Sequence, residues 1–352
     1  MLPGGVFNTK YESDVAIFRT KTHWLLLLVG LAFVFTFPMY GSDYWLSWFI
    51  RVFVTIIVVL GLHILTGLCG QVSIGQAAFL GVGAYTVAIL TTKYGVNGWA
   101  CLPLSALIAG LVGLVFGLPC FRLRLFYLAI ATMAASSIIK WCFQHFEGFT
   151  GGFIGLSLEP LKLGGKELIS RGSMFFLCGI VVVVAAFLAK NIQRSSTGRA
   201  FVAIRDNELA AEVSGIAIFR YKMYAFFIGC IFAGVAGWLW AYTQLRVNPE
   251  QFSMLDSMWY LGMIIIGGWG SVTGVFFGVA FLRILEVVIT DHLAPWLANT
   301  FPSIAMQVHI SLSLILYGMV IVFFMMFQQR GLYYLLEKAK IYYRLHPYSY
   351  WG

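Results

Sequence analysis

Charged residues are scarce in this chain of 352 residues. Asp, Glu, Lys and Arg make up only 11% of the sequence, whereas hydrophobic residues make up 60%. Soluble domains carry about 25% charged residues, and a soluble fold of this length could not hide so much apolar surface. The scarcity therefore excludes an ordinary soluble protein and indicates that a lipid bilayer is the solvent.

Several chemical signatures are missing as well. The six cysteines form no C-x-x-C pair and the six histidines form no H-x-x-x-H pair, so we predict no disulfide and no metal site. No G-x-x-x-x-G-K-[ST] phosphate-binding loop occurs, so an ATPase driving this chain would be another chain. Without a cluster of acids, bases or metal ligands, we predict no catalytic residue and no cofactor in this chain.

The first 22 residues lack the apolar core of a secretory signal sequence, since they include Lys10, Glu12, Asp14, Arg19 and Lys21. We therefore expect no cleaved signal. The segment 1–22 is predicted to be a cytoplasmic N-terminal segment, and the first membrane segment is expected to remain in the mature protein.

Long apolar runs dominate the remainder. A run of ~20 residues crosses the hydrocarbon core of a bilayer. Runs of about that length lie at residues 23–38, 46–66, 72–92, 99–119, 125–144, 173–190, 223–245, 255–267, 274–291 and 309–328. Because two of them are short, we predict an all-α membrane bundle of about eight to ten spans within residues 23–328, followed by a cytoplasmic tail at residues 329–352.

Positive charge predicts the orientation of these spans. With both termini in the cytoplasm and ten alternating spans, fifteen of the 23 Lys and Arg residues fall inside and five outside. This is the bias that the positive-inside rule describes. The net charge of +9 then reflects topology and contact with anionic lipid, and we expect no nucleic-acid partner.

The stretch LTGLCGQVSIGQAAFLGVGAY, residues 65–85, places five glycines together with Gln71, Ser73 and Gln76 inside an apolar region. Glycine weakens a helix interior by roughly 1 kcal/mol relative to alanine. Non-helical backbone inside a membrane is tolerated where it is buried in protein or lines a water-filled cavity. We expect an interrupted segment at residues 66–85, and two interpretations stay open: the polar side chains border a translocation path, or the glycines permit tight helix packing.

A second glycine-rich segment, GGWGSVTGVFFGVAF at residues 267–281, has a similar pattern of glycine, serine and glycine. It is a candidate for the matching element of an internal repeat. Just beyond it, Arg283 and Glu286 are three residues apart on one predicted helix, so we expect them to pair on one face.

The cytoplasmic loop at residues 191–222 has the pattern of one or two short amphipathic helices. Ser195, Ser196 and Thr197 can cap a start, apolar residues recur at positions 201, 204, 209 and 213, and Gly215 can end a helix. Its polar side carries both signs of charge, which favours a protein partner, whereas a helix resting on lipid headgroups is usually basic. The predicted partner contacts are Gly198, Arg199, Arg205, Asp206, Glu208, Glu212 and Gly215.

Five motifs within residues 45–330 resemble the ATP-binding-cassette permeases of the branched-chain amino acid (LivM-like) family. They are TGLCGQVSIGQAAFLGVGAYT, YLAIATMAASSIIKW, FTGGFIGL, STGRAFVAIRDNELAAEVSGIAIFRYK and IIIGGWGSVTGVFFG, in this order. The chain departs from the family at Gln76, where histidine is frequent.

The resemblance implies an importer permease with a type II-like fold in a bacterial inner membrane. In such systems a homologous LivH-like permease completes the pore, two ATPase subunits bind ATP and magnesium, and a periplasmic binding protein delivers the solute. The loop residues above are then the expected ATPase contacts. The expected path residues are Gln71, Ser73, Gln76, Tyr85, Thr132 and Ser136.

The resemblance implies branched-chain amino acids as the solute, although related permeases serve other amino acids, urea, short amides or small carboxylates. A membrane domain without a dense ring of charge suits a neutral or zwitterionic solute. The alternative class is a secondary transporter or channel that works alone. Such a protein should show more membrane-embedded acidic residues for ion coupling than this chain does.

Overall fold

The computed structural model describes residues 41–120, 125–163, 166–167, 170–293, 305–328 and 331–345, together with a few isolated positions outside these ranges. The predicted N-terminal segment at residues 1–22 lies outside the described residues. The first predicted run, residues 23–38, lies outside them apart from isolated helical positions.

The described chain is a bundle of α-helices. In chain order they are α1 (Asp43–Leu62), α2 (Gln76–Tyr94), α3 (Cys101–Cys120), α4 (Leu125–His145), α5 (Glu147–Thr150), α6 (Arg171–Arg194), α7 (Ser196–Asp206), α8 (Glu208–Val213), α9 (Ile218–Gln244), α10 (Met254–Gly267), α11 (Val272–Val287), α12 (Ala305–Phe327) and α13 (Gly331–Leu345). Turns of π-helix at His63–Leu68 and Val288–Leu293 extend α1 and α11.

A turn of 3-10 helix at Pro249–Gln251 and two pairs of two-residue strands complete the described secondary structure. β1 (Leu156–Ser157) pairs antiparallel with β4 (Arg246–Val247), with Leu156 opposite Val247. β2 (Lys162–Leu163) pairs antiparallel with β3 (Lys166–Glu167). The β1–β4 pair joins the loops after α5 and α9 at one end of the bundle, and the β2–β3 pair lies within the loop after α5.

The prediction of a multi-pass helical membrane protein is confirmed. Within the described ranges, five helices are long and apolar enough to span a membrane: Asp43–Leu68, Cys101–Leu118, Arg171–Arg194, Ile218–Gln244 and Val272–Leu293. The pair Leu314–Phe327 and Gly331–Ala339, bent by 46°, adds a sixth if it is one span. The predicted count of about ten spans and the placement of the termini are not confirmed.

Helix α9 lies at the centre of the bundle because its glycines let other helices approach its backbone. A Cβ at Gly234 would lie 2.5 Å from the Ser105 carbonyl of α3, and one at Gly237 would lie 2.3 Å from the Leu80 carbonyl of α2. Small residues at helix contacts are the usual means of close packing in membranes. The α2–α3–α9 core is therefore built on backbone-to-backbone contact.

The loops gather at two ends of the bundle. At one end, Trp99 Nε1 donates to the Lys162 carbonyl at 3.0 Å, and Arg246 Nη2 donates to the Ile154 carbonyl at 3.2 Å. The opposite end holds residues 66–75, the loop of α7 and α8, and the turn between α10 and α11. We call these the outer end and the inner end, after the charge-based prediction.

The predicted intramembrane ion pair is confirmed. Arg283 Nη1 lies 2.8 Å from Glu286 Oε2 on α11. Arg283 Nη2 also donates to Thr55 Oγ1 of α1 at 2.6 Å. Since a charge within a bilayer needs a partner, this pair stabilises the contact of α11 with α1.

Candidate functional site

The glycine-rich stretch contains a break between two helices. The π-helical turn His63–Leu68 ends α1, residues 69–75 are non-helical, and α2 begins at Gln76. Gly70 has a φ of +74°, a left-handed conformation that glycine adopts readily. We call residues 63–75 the break. The predicted interruption is confirmed, but it is shorter than expected because residues 76–85 are helical.

Side chains from two other helices bind the backbone beside the break. The Thr132 hydroxyl of α4 accepts a hydrogen bond from the Ile74 amide at 3.0 Å, and the Ser257 hydroxyl of α10 accepts one from the second amide of α2 at 3.0 Å. Within the break, Thr66 Oγ1 donates to the Gln71 carbonyl at 3.0 Å. Backbone groups freed from a helix inside a membrane need such partners. Protein groups therefore satisfy much of the break in this conformation.

Several buried polar groups at and near the break remain unpaired. Gln76 Nε2 donates to the Gly229 carbonyl of α9 at 2.9 Å. Neither amide atom of Gln71, which is 3% exposed, has a hydrogen-bond partner among the described residues. The same holds for the Tyr85 hydroxyl and both ring nitrogens of His63. Each unsatisfied group costs about 1–3 kcal/mol, so these side chains destabilise the described conformation.

All six predicted path residues are buried in this chain. The structure brings Gln71, Ser73, Gln76 and Thr132 together at the break. Tyr85 lies further along α2, where its ring stacks on Phe143 with centroids 4.2 Å apart, and Ser136 lies further along α4. Burial in packed protein agrees with the tight-packing interpretation for this conformation, and the path assignment stays a prediction.

A cavity of about 900 Å³ opens at the outer end of α2. Its lining includes Thr91, Thr92, Asn97, Glu159 and Lys162. None of the six predicted path residues lines it. The rise of 1.5 Å per residue places Thr91 roughly 20 Å from the start of α2 at the break, so the cavity and the break mark the two ends of one helix.

The inner loop folds into two short helices, as predicted. Ser195 Oγ accepts a hydrogen bond from the Gly198 amide at 3.2 Å and caps α7. Asn207 Oδ1 accepts one from the Ala210 amide at 3.1 Å and caps α8. Gly215 follows α8 with a φ of +83°, the conformation that glycine supplies at helix ends.

The two loop helices differ in the apolar residues that they bury. Phe201 and Ile204 of α7 are 0% and 1% exposed, whereas Leu209 and Val213 of α8 are 75% and 90% exposed. Helix α8 therefore buries Ala211 but leaves its two large apolar side chains exposed. We call Leu209, Glu212 and Val213 the α8 surface, since Glu212 is exposed beside them.

Several of the predicted partner contacts bind residues of this chain itself. Arg205 Nη1 donates to the Gly67 carbonyl in the break at 2.9 Å. Glu208 Oε1 lies 2.5 Å from Lys222 Nζ of α9, whose side chain is 10% exposed. Arg199 and Asp206 are more exposed, and Arg199 Nη1 donates to a carbonyl at the end of α6 at 3.1 Å. The roles of all these residues toward a partner stay predictions.

The sequence analysis missed the residues that tie the site together. Ser257 and Gly229 bind the start of α2 from positions more than 150 residues away, and Lys222 neutralises Glu208 from the start of α9. A serine or glycine in an apolar run carries no signal of its own. Lys222 did carry one, because a lysine at the start of a membrane helix needs an acidic or aqueous neighbour.

No group of three or more metal-ligating side chains comes together in the described ranges. The cysteines described there, Cys69, Cys101, Cys142, Cys178 and Cys230, are free thiols. The expectation of a chain without a metal or cofactor stays a prediction.

Comparison with known proteins decides the family. The family model of the branched-chain amino acid transport system permease component matches residues 44–325. The high-affinity branched-chain amino acid permease proteins LivM of Salmonella typhimurium and Escherichia coli are each 32% identical to the chain over 260 residues. The chain belongs to the branched-chain amino acid permease family. Members of this family are the permease components of a transport system.

The similarity to these relatives is partial. It covers 67% of the permease and 61% of each LivM protein, so the chain spans about six tenths of the length of these relatives. The autoinducer 2 import system permease LsrC of an Enterobacter species is 29% identical over 236 residues, which cover 61% of this chain and 65% of LsrC. No solved structure matches the permease.

Proposed function

We propose that this permease is one membrane subunit of an ATP-driven importer in a bacterial inner membrane. A homologous LivH-like permease completes the path, two ATPase subunits that hold ATP and magnesium drive it, and a periplasmic binding protein delivers the solute. Family membership supports the permease role. The fold contributes the two parts that this role needs, which are a break buried in the bundle and a pair of helices joined to that break.

The exposed α8 surface is the observation that carries the proposal. Leu209 and Val213 present their apolar side chains outward, and the exposed carboxylate of Glu212 lies beside them. Apolar patches rimmed by polar residues mark protein contacts. An amphipathic helix in the groove of a partner buries such residues, and the ATPase subunit is the partner on the cytoplasmic side.

The α8 surface can be tested by replacing Leu209 and Val213 together with serine. We expect co-purification of the ATPase subunits and ATP-dependent uptake to fall by about tenfold or more, which equals 1.4 kcal/mol of lost contact. Ile154→Ser is the matched control, because Ile154 is 74% exposed at the outer end. Normal recovery of ATPase subunits with the double variant would remove α8 as the contact.

The proposed solutes are branched-chain amino acids. No Asp, Glu, Lys or Arg occurs from residue 65 to residue 92, so the break and α2 suit a neutral or zwitterionic solute. The similarity to the LivM proteins supports leucine, isoleucine and valine as solutes. LsrC, which is also similar to this chain, is named for the import of autoinducer 2, so the relatives of this chain are named for more than one kind of solute. Identification of the solute that the associated binding protein retains on purification, by mass spectrometry, decides among them.

Reconstitution separates this proposal from a transporter that works alone. We expect uptake of labelled leucine by proteoliposomes only when both permeases, the ATPase subunits, the binding protein and ATP are present. Uphill uptake by the purified chain alone would contradict the proposal and favour a secondary transporter. Leak without ATP dependence would favour a channel.

The proposed path runs beside Gln71, Ser73, Gln76, Tyr85, Thr132 and Ser136 in another state of the transport cycle. The unpaired amide of Gln71 and hydroxyl of Tyr85 support this assignment, because a polar solute would satisfy them. Single cysteines at these positions should react with a soluble thiol reagent in one nucleotide state. Protection in every state would favour the tight-packing interpretation.

A further inference from the structure

Arg205 is the residue at which the inner loop meets the membrane helices. It lies in the last turn of α7, and its side chain is 29% exposed. Its guanidinium reaches out of the loop and donates from Nη1 to the Gly67 carbonyl at 2.9 Å. A residue predicted to face a partner is thus directed into its own chain.

The acceptor of this hydrogen bond belongs to the end of a helix. Gly67 lies in the π-helical turn that ends α1, and the carbonyls of a last helical turn lack partners within the helix. A cation near that end also interacts favourably with the helix dipole. Arg205 therefore caps the end of α1 at the point where the break begins.

A second residue of the break, Gly70, also contacts this arginine. A Cβ at Gly70 would lie 2.9 Å from Arg205 Cγ and 3.3 Å from Arg205 Cα. The backbone of α7 thus packs directly on the bend at Gly70. A movement of α7 toward the break would press on this bend, because the contact involves the arginine backbone as well as its side chain.

The turn between α10 and α11 meets the same guanidinium. A Cβ at Gly270, where φ is +86°, would lie 3.3 Å from Arg205 Nη1. Gln193 at the end of α6 donates from Nε2 to the Gly270 carbonyl at 2.7 Å. The two glycine-rich segments, 200 residues apart in the chain between Gly70 and Gly270, therefore converge on one side chain.

Asp206 sets the direction of that side chain. Its Oδ1 accepts from Arg205 Nε at 3.0 Å and lies 2.9 Å from Nη2. With Nε and Nη2 bound on the loop side, Nη1 is directed toward the break. A planar fork of donors can hold two acceptors in fixed directions, which a lysine ammonium cannot do.

We propose that Arg205 is a positioning residue that transmits the displacement of α7 to the break and to the Gly270 turn together. This rests on the proposed ATP-driven function and assigns to Arg205 a role within the chain. The exposed α8 surface makes the contact with the ATPase, and Arg205 carries the resulting movement to the end of α1 and to the α10–α11 turn. Gln71 and Ser73 follow because they lie within the same break.

The test compares Arg205→Ala, Arg205→Lys and Arg246→Ala in the complete transporter reconstituted in proteoliposomes. Arg246 is the matched control, since it also donates to a backbone carbonyl, at the outer end. We expect Arg205→Ala to retain its ATPase subunits and basal ATP hydrolysis, while solute imported per ATP falls about tenfold or more. Arg205→Lys should rescue this ratio only in part, and Arg246→Ala should leave it unchanged.

A second measurement does not depend on uptake. Each variant carries Ser73→Cys, and its labelling by a thiol reagent is compared with and without vanadate-trapped ATP. We expect the nucleotide-dependent difference to vanish in Arg205→Ala and to persist in Arg246→Ala. If Arg205→Ala does not fold, the reduced difference in Arg205→Lys provides the same test.

Three results would overturn the proposal. Loss of the ATPase subunits from Arg205→Ala would make Arg205 a docking residue, and an unchanged ratio of solute to ATP would remove its role in transmission. Full rescue by lysine would show that charge alone suffices. If the proposed importer function itself were wrong, the unmodified transporter would show no ATP-dependent import of solute. This outcome is distinct from the three above, which concern only the Arg205 variants.

Discussion

The break at residues 63–75 and the turn at residues 268–271 have similar glycine-rich sequences but different structures. In the break, the backbone leaves the helix and binds side chains such as Thr132 from other helices. Next to the turn, glycines within the helices bring α10 and α11 together, since a Cβ at Gly278 of α11 would lie 1.9 Å from the Met263 carbonyl of α10. Glycine thus permits non-helical backbone in the break and close packing of two helices at the α10–α11 hairpin.

This difference bears on the hypothesis of an internal repeat. Both segments meet Arg205, yet one ends a spanning helix inside the bundle and the other joins two helices in a hairpin. The helical hairpin also supports α13, because a Cβ at Gly331 would lie 2.4 Å from Gly268 Cα. Matching composition is therefore insufficient to infer matching roles, and the repeat stays a prediction.

The largest effect should come from the hairpin. Gly278→Ala places a methyl group against a backbone carbonyl that cannot move aside, so we expect a loss of about 3 kcal/mol or more of unfolding free energy. Gly318→Ala is the control, since a Cβ there meets no described atom within 4 Å. Unfolding measured in bicelles checks both variants, and equal stability of the two would show that the hairpin contact is adaptable.

An intermediate effect should come from the break. Thr132→Val keeps the shape of the side chain but removes the acceptor of the Ile74 amide, so we expect a loss of about 2 kcal/mol. Thr86→Val should be nearly neutral, because the Thr86 hydroxyl only donates to the Val82 carbonyl within its own helix at 2.7 Å. The same unfolding assay applies. A neutral Thr132→Val would mean that the break is held by other groups.

The smallest effect should come from two of the left-handed glycines at the inner end, Gly270 and Gly215. Gly270→Ala should cost about 1 kcal/mol through its positive φ, since its Cβ would approach only the far end of Arg205. Gly215 has a similar φ of +83°, and a Cβ there would meet no described atom within 4 Å, so Gly215→Ala should cost the same. A much larger loss at Gly270 in thermal unfolding would show that the turn tolerates no shift of Arg205.

Local patterns predicted much of this molecule. The run at residues 255–267 corresponds to α10 at Met254–Gly267, and the loop helices begin and end where the caps Ser195 and Gly215 indicated. The spacing of Arg283 and Glu286 predicted their pairing. These features depend on residues within a few positions of one another, which is why the sequence alone reveals them.

Long-range contacts escaped prediction. The charge of Arg205 indicated a partner but not its direction, and the structure directs it to Gly67, 138 positions away. The apolar residues Leu209 and Val213 indicated an amphipathic helix but not which side of it packs: α8 buries Ala211 and leaves Leu209 and Val213 exposed. Which face of a short helix packs depends on where the neighbouring helices lie.

The sequence by itself determined that this chain is a helical membrane protein, that its helices are interrupted within residues 66–85, and that the charged loop at residues 191–222 forms one or two short helices. The length of an apolar run, the positions of glycines and the helix caps determine local structure over a few helical turns. They can therefore be recognised in the sequence without knowledge of the tertiary structure. Only the tertiary structure decided which groups satisfy the break and that Arg205 joins it to the inner loop. The free energy of a buried polar group depends on partners that are distant in the chain and adjacent only in space.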